Sequence, residues 1–248
     1  MRYSYAGWTQ YYKRLLYQVY DLTDKIKTDN EITVNVGCGW YGSPMMGRAP
    51  FGKPALIAAL NITFLDGTSE IIRTDDGWLV AKSEVTFSEI YDGECADARI
   101  VPSFDSHARV YDGYETGKLT IADGERVVEA QRLAAKEIII TPKGETVIDF
   151  GQNITEYIEF KTRGKAGDIL EVSHAEVLDK DGNFYTENYR SAKAKIIYTL
   201  KDEEQTYKPR HTFFGFRYVR IDKAPSEIRL EDFTAIVVHS DIKRTRFL

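Results

Sequence analysis

Residues 37–42 read GCGWYG, which gives three glycines the G-x-G-x-x-G spacing found in phosphate loops of dinucleotide-binding domains. That chemistry requires a helix directly after the third glycine, because the helix N-terminus holds the pyrophosphate. Three prolines between residues 44 and 54 leave no span for such a helix. An acidic residue that would bind a ribose is also absent at the expected spacing. The sequence therefore predicts a glycine-rich turn that displays Trp40 and Tyr41.

The densest group of acidic residues lies in IYDGECADAR (90–99), which contains Asp92, Glu94, Asp97 and Arg99. Paired carboxylates could be the acid and base of a glycosidase, or they could bind calcium. Alternatively, the stretch is a turn followed by a surface ion pair, since residues 97 and 99 share one face of a strand. The residue types alone favour the ion pair and leave the other two interpretations open.

Other catalytic signatures are missing from the sequence. The four histidines are scattered without the paired spacing of a zinc site, and neither a G-x-S-x-G nucleophile elbow nor a Walker A loop is present. DKDGN (179–183) begins like a calcium loop, but its glycine stands at the fourth position and not at the sixth. A hairpin turn is the favoured interpretation of this segment.

Most of the chain alternates between apolar and polar residues with a period of two, which is typical of strands. Asp-Gly pairs recur between these segments, as expected of tight turns between antiparallel strands. The alternating segments are 55–64, 69–74, 145–150, 156–162, 168–174, 194–200, 211–221 and 230–239. In the segment 211–221, the alternation places Phe214, Phe216 and Tyr218 on one face, which we expect to lie in a core.

Helical pattern is scarce. YDLTDKIK (20–27) could form a turn or two, and ERVVEAQRLAAKE (125–137) has the composition of a helix. The second stretch lacks alternation and separates two strand-rich halves, so we place a domain boundary there. The predicted fold is all-β, with two antiparallel β-sandwiches in tandem at residues 1–130 and 131–248.

Composition excludes several classes of partner. The net charge is −5, from 33 basic and 38 acidic residues, which argues against nucleic acid or an anionic membrane as a partner. No apolar run is long enough to span a bilayer, and the first residues lack a signal core, which predicts a soluble chain. Cys38 and Cys95 could form one disulfide, although two free thiols are the favoured interpretation. The 16 tyrosines, 12 phenylalanines and 3 tryptophans fit either strand propensity or a surface that stacks on sugar rings.

Taken in order, the motifs resemble a known family over nearly the whole chain. GWTQYYKRLLYQVYDLTD, VGCGWYG, FGKPALIAALNITFLDGTSEIIRTDDGW and EIYDGECADAR resemble the N-terminal region of bacterial α-L-rhamnosidases. VIDFGQNITEYIEFKTRGKAGDILEVSHAEVLDKDGNFYTENYRSAKAKIIYTL is similar to their concanavalin-like β-sandwich, and FFGFRYVRI and IVVHSD to its final strands. The resemblance implies a jelly-roll or concanavalin-like sandwich in residues 131–248 and a related sandwich in residues 1–130.

The resemblance also implies what the parent enzyme does and what this chain lacks. Members of the family cleave α-L-rhamnosyl groups with inversion, using residues of an (α/α)₆ barrel that follows the sandwich. HSDIKRTRFL ends the sequence where that barrel would begin, so no catalytic residue is assigned here. The expected partners are the missing barrel and a rhamnose-containing carbohydrate. For the parent enzyme, the resemblance implies a periplasmic or extracellular location.

Some relatives of the first domain bind rhamnose, and some of those hold it through calcium. If this chain binds the sugar, we expect Trp40 and Tyr41 to form a stacking platform. We then expect Asp92, Glu94 and Asp97 to be ligands of sugar hydroxyls or of calcium. The alternative interpretation is that Trp40 is a core or interdomain anchor and the acidic turn contacts the barrel.

Overall fold

The computed structural model describes residues 9–43, 50, 52–111, 113 and 116–242 of the 248-residue chain. In the described residues the fold is all-β, as predicted, and includes the short helix α1 (Gly39–Gly42). Short 3₁₀ turns lie at Thr23–Lys25, Thr116–Lys118, Glu187–Tyr189 and Leu230–Asp232. The strands of the first half are β1 Leu15–Tyr17, β2 Ala59–Thr63, β3 Ser69–Arg73, β4 Leu79–Val80, β5 Val85–Glu89, β6 Gly93–Asp97, β7 Ser106–His107 and β8 Leu119–Ile121. Those that follow are β9 Val127–Ala134, β10 Glu137–Ile140, β11 Thr146–Gly164, β12 Ile169–Ala175, β13 Val177–Leu178, β14 Phe184–Tyr185, β15 Lys195–Thr199, β16 Glu203–Tyr207, β17 Phe214–Lys223 and β18 Phe233–Ser240.

A large sheet dominates the second half. Its strands follow the order β5-β6-β15-β12-β17-β11-β18-β9, and β10 and β16 also pair with β11. The long strand β11 changes partners along its 19 residues: its first part lies beside β10 and β17, and its last part beside β18 and β16. Because one strand pairs with successive neighbours, the sheet surrounds one main apolar core, and two smaller buried clusters lie beside it.

The core is built from the alternating residues that the sequence predicts. Phe214, Phe216 and Tyr218 are all buried, and the first two lie in this core as predicted. Tyr218 instead packs in a separate buried cluster, because the pairing of β17 with β11 shifts register between Phe216 and Tyr218. At the other end of the core, the ring of Phe160 lies 5.7 Å from that of Tyr198. Burying each large apolar side chain contributes about 1.5–3 kcal/mol, so this cluster is the main source of stability in the second half.

Strands from both sides of residue 130 enter this sheet. Strand β6 pairs with β15 in parallel, from Gly93 opposite Lys195 to Asp97 opposite Thr199. Strand β9 itself crosses the predicted boundary. The two predicted domains are therefore joined by backbone hydrogen bonds and not only by a linker.

The helical interpretation of residues 125–137 was wrong. Residues Val127–Ala134 form β9, which pairs antiparallel with β18 and packs Leu133 against the core. Helix propensity is a weak preference, and pairing with a neighbouring strand overrides it here. By contrast, the predicted turn in YDLTDKIK is present as the 3₁₀ turn Thr23–Lys25.

The first half is assembled from small two-stranded pieces. They pair β1 with β8, β2 with β3, and β4 with β7. The β2–β3 hairpin forms at Asp66-Gly67 as predicted: Gly67 has φ +87°, and the Asp66 carboxylate accepts a hydrogen bond from Thr68 N at 2.9 Å. Many large apolar side chains of this half are nevertheless exposed, among them Phe64, Ile71 and Ile72.

Candidate functional site

The GCGWYG segment forms a tight turn that rests on the second half of the chain. Gly39 has φ +48°, the left-handed conformation that glycine tolerates best. A Cβ atom added to Gly37 would collide with the ring of His211, so only glycine permits this close approach. The backbone N–H of Cys38 donates to Ser88 Oγ at 3.2 Å. Because α1 has only four residues, it does not supply the helix N-terminus that a phosphate loop requires.

The rings of Trp40 and Tyr41, which were predicted to form the platform, are half-buried, and each packs edge-on against a tyrosine. The ring centroid of Trp40 lies 5.6 Å from that of Tyr91, and the ring centroid of Tyr41 lies 5.3 Å from that of Tyr11. Edge-to-face contacts of this kind stabilise by about 0.5–1.5 kcal/mol beyond burial. Trp40 therefore joins the GCGWYG turn to the turn between β5 and β6, which contains Tyr91.

The three predicted carboxylates have different surroundings. Asp92 pairs with Lys193 Nζ at 2.8 Å, which ties the β5–β6 turn to the segment before β15. Asp97 accepts from Arg99 Nε at 2.9 Å and Nη2 at 2.7 Å, which confirms the predicted surface ion pair.

Glu94 points into the protein and is only 1% exposed. Its carboxylate accepts hydrogen bonds from the hydroxyl of Tyr207, from Arg210 N at 3.1 Å and from His211 N at 2.8 Å. Burial raises the pKa of Glu94, and the hydrogen bonds from Tyr207 and the two backbone amides oppose that rise. The hydrogen bonds of Glu94 thus connect the segment before β17 to strand β6 of the first half.

Strand geometry explains why these carboxylates diverge. Glu94 and Asp97 are three positions apart on β6, and an odd spacing on a strand directs side chains to opposite faces. Calcium takes six to eight oxygen ligands, which requires several carboxylates to converge. Across the described ranges of the chain, histidine, cysteine and acidic side chains do not form a group of three that could hold a metal ion. Asp92, Glu94 and Asp97 therefore do not fit a calcium site.

The sequence prediction did not include two other residues near the turn, Glu89 and His211. Glu89 Oε2 accepts from the backbone N–H groups of Tyr91 at 2.7 Å and Asp92 at 2.5 Å, while Glu89 Oε1 is buried and has no partner among the described residues. His211 Nε2 is hydrogen-bonded to Asn35 Oδ1 at 2.8 Å, although the two residues are 176 positions apart in the sequence. A carboxylate just before an Asp-Gly turn is a local cue that could have identified Glu89. No local cue exists for a contact as distant as that of His211.

The cysteines are both free, and their thiols are partly buried. Burial raises the pKa of the Cys95 thiol, and the nearby Glu94 carboxylate adds to this rise, so Cys95 is a poor nucleophile.

Comparison with solved structures identifies the class of protein. The crystal structure of the Streptomyces avermitilis α-L-rhamnosidase complexed with L-rhamnose superposes with a TM-score of 0.84 at 34% identity, covering 95% of this chain and 24% of that one. The native α-L-rhamnosidase of Aspergillus terreus gives a TM-score of 0.84 at 30% identity, covering 98% of this chain and 30% of that one. The fold is thus that of the β-rich part of these enzymes.

The sequence comparisons identify the family. Residues 5–137 match the α-L-rhamnosidase N-terminal domain, and residues 139–239 match the bacterial α-L-rhamnosidase concanavalin-like domain. This chain belongs to the α-L-rhamnosidase family. It is 36% identical to the α-L-rhamnosidase of Streptomyces avermitilis over 249 residues, which cover 94% of the chain, and 33% identical to one from Formosa agariphila over 243 residues, which cover 89%.

The chain spans about a quarter of the length of these curated relatives: 24% of the Streptomyces protein and 26% of the Formosa protein. Among the residues that the structure describes, no helix is long and apolar enough to cross a membrane.

Proposed function

We propose that this chain is a non-catalytic segment of an α-L-rhamnosidase, which supports a catalytic region and binds rhamnose-containing carbohydrate. The observation that carries the proposal is the partial match: both domains that match are β-domains, and together they make up about a quarter of the related enzymes. Hydrolysis of α-L-rhamnosides then belongs to the remainder of such an enzyme.

The carboxylates of the acidic turn support a non-catalytic role. An inverting glycosidase needs an acid and a base that face each other about 6.5–9.5 Å apart across the substrate. Asp92 and Asp97 are held in ion pairs, and Glu94 is buried beneath three hydrogen-bond donors. Since Glu94 and Asp97 also lie on opposite faces of β6, they do not form such a pair.

The exposed apolar side chains of the first half support a role in holding another part of the enzyme. Val34, Val36, Leu79 and Val80 are all more than 40% exposed. Soluble monomers rarely leave large apolar patches uncovered, and such patches mark surfaces that bind another protein or domain. A free-standing sugar-binding module would have little need for them.

A hydrolysis assay tests the proposal. The purified chain is incubated with 4-nitrophenyl α-L-rhamnopyranoside, and we expect release of nitrophenol at the rate of the buffer alone. The Asp92→Asn and Asp97→Asn variants serve as matched controls, because an activity that depended on these carboxylates would decrease in at least one of the two variants. Turnover that survives purification and is lost in either variant would refute the non-catalytic role.

A second candidate is a free-standing carbohydrate-binding module whose site uses Trp40, Tyr41 and Asp92, three of the five residues predicted for sugar binding. The observation in its favour is that Trp40 meets Tyr91, the residue next to Asp92, at the end of β5. Rhamnose binding by the chain that is lost in Trp40→Ala, together with a monomeric chain that does not bind a hydrophobic dye, would favour this candidate.

A further inference from the structure

A cleft of about 350 Å³ lies on the second half, remote in sequence from the acidic turn. It is bounded by residues 152–155 of β11, by Glu176 and Gly215, and by residues 237–239 of β18. Its volume is at the small end of the range for ligand sites, so it suits one small ligand and not an extended chain.

The cleft exists because β11 bulges. In the pairing of β11 with β17, Asp149 lies opposite Tyr218 and Ile154 opposite Phe216. The four residues 150–153 therefore face the single residue Arg217, and the excess backbone pushes Gln152 and Asn153 outward. Bulges of this kind often redirect side chains beside functional sites.

Several contacts fix the bulge in one conformation. The buried Asp149 carboxylate accepts from Arg217 Nε at 2.8 Å and Nη2 at 2.7 Å, and from Gly151 N at 2.6 Å. Gly151 has φ +80°, and a Cβ atom there would collide with the side chain of Lys136. Only glycine fits this position without strain, which makes the bulge a built feature.

Planar polar groups converge on the cleft. Glu176 Oε1 accepts from Asn153 Nδ2 at 3.3 Å, and Glu176 Oε2 accepts from Asn188 Nδ2 at 3.1 Å. A Cβ atom on Gly215 would lie 3.0 Å from Glu176 Oε1, so the missing side chain leaves room for this carboxylate. Within the described part of the chain, the exposed Gln152 carboxamide has no hydrogen-bond partner. Amide and carboxylate groups in this arrangement can both donate to and accept from adjacent hydroxyls.

The lining determines the class of ligand. Among the described lining residues, Glu176 is the only carboxylate, and lysine and arginine are absent. One carboxylate is too few for a divalent cation, and the single lining imidazole, that of His239, is too few partners for an anion such as phosphate beside the Glu176 carboxylate. Ile154, Val237 and Val238 add an aliphatic wall suited to C–H groups. A neutral molecule with several hydroxyls and an apolar face satisfies all of these groups.

We propose that this bulge cleft binds one neutral pyranose unit, with Gln152, Asn153 and Glu176 holding its hydroxyls. The choice of L-rhamnose as the probe rests on the proposed function, whereas the cleft itself does not. The site lies in the concanavalin-like domain and is separate from the predicted platform at Trp40.

Nuclear magnetic resonance tests this proposal on the intact chain. The ¹⁵N-labelled protein is titrated with L-rhamnose, and side-chain NH₂ signals are assigned by their loss in Gln152→Ala and Asn153→Ala. We expect both signals to shift saturably, with a dissociation constant on the order of millimolar for so few contacts. Asn153→Ala and Glu176→Gln should each weaken binding about five- to tenfold, the effect of losing one or two hydrogen bonds. Asn61→Ala, at an exposed position of β2, is the matched control and should bind as the unmodified chain does.

Each alternative result has a definite meaning. Retained binding in Trp40→Ala, together with weakened binding in folded Glu176→Gln, supports the cleft. Binding that is lost in Trp40→Ala and unchanged in Asn153→Ala overturns the cleft and leaves sugar binding at the first half. No saturable shift of any signal overturns the cleft while leaving the non-catalytic role intact, which the hydrolysis assay tests separately.

Discussion

The two halves of the chain share the same alternating sequence pattern but differ in how they bury it. In the second half, Phe216 is fully buried within a sheet that folds over itself, whereas Phe64 at the end of the β2–β3 hairpin is 46% exposed. Alternation specifies which face of a strand is apolar, but burial also requires a second layer to cover that face. This difference supports the proposed role of the first half, in which its exposed apolar side chains contact another part of the enzyme.

The largest effect should come from the core of the second half. Replacing Phe216 by alanine removes a ring that packs against Phe150, at 5.8 Å, and leaves a cavity. We expect a loss of about 3–5 kcal/mol in the free energy of unfolding. Urea unfolding followed by far-ultraviolet circular dichroism measures this loss.

Phe64→Ala is the matched change in the first half and should alter stability by less than about 0.5 kcal/mol. Equal losses of unfolding free energy in the two variants would show that the first half has a core of its own. This result would contradict the difference in burial described between the two halves.

A smaller effect is expected from the hydrogen bonds of Glu94, which connect the first half of the chain to the second. Glu94→Ala leaves the Tyr207 hydroxyl and the amides of Arg210 and His211 without their acceptor, which we expect to cost about 3 kcal/mol. All three tryptophans lie in the first half, so their fluorescence reports that half separately from circular dichroism. We expect the two unfolding transitions to separate in this variant.

Asp97→Ala provides the control on the same strand, because its partner Arg99 is exposed. Its loss should be at most about 1 kcal/mol, with the transitions still coincident. A large loss of unfolding free energy in Asp97→Ala and none in Glu94→Ala would show that the hydrogen bonds of Glu94 do not connect the two halves.

The smallest of the three effects should appear on acidification. Burial lowers the pKa of His174 from 6.5 to about 4. Since the unfolded chain takes up this proton first, stability is complete above pH 6.5 and falls as the pH drops towards 4, by about 2–3 kcal/mol. Burial also lowers the pKa of His211, which adds to the effect in the same direction. Unfolding free energies measured from pH 7.5, about one unit above 6.5, down to pH 4.5 would show the slope.

His107 is exposed and provides the comparison. We expect His174→Gln to reduce the pH dependence and His107→Gln to leave it unchanged. An identical slope in the unmodified chain and in His174→Gln would show that the buried histidine does not cause it.

Local pattern was sufficient to predict seven of the strands, the hairpin at Asp66-Gly67 and the burial of Phe214 and Phe216 in the core. It was insufficient for β9, where Val127 and Leu133 are partly buried by pairing with a neighbouring strand, which helix propensity does not predict. The candidate sites were harder still, because Glu94 is joined to residues more than 110 positions away. Gly151 is the exception, since a glycine inside an alternating strand is a recognisable sign of a bulge.

The parallel pairing of β6 with β15 has a consequence for synthesis of the protein. The Glu94 carboxylate accepts a hydrogen bond from the hydroxyl of Tyr207, which lies 113 residues further along the chain. At about 5–20 residues per second, the ribosome needs on the order of ten seconds to make that stretch. During this interval β5 and β6 emerge without their partner strand, and their open edge is available to chaperones or to other nascent chains. The hydrogen bond between the two halves therefore cannot form until Tyr207 has been synthesised.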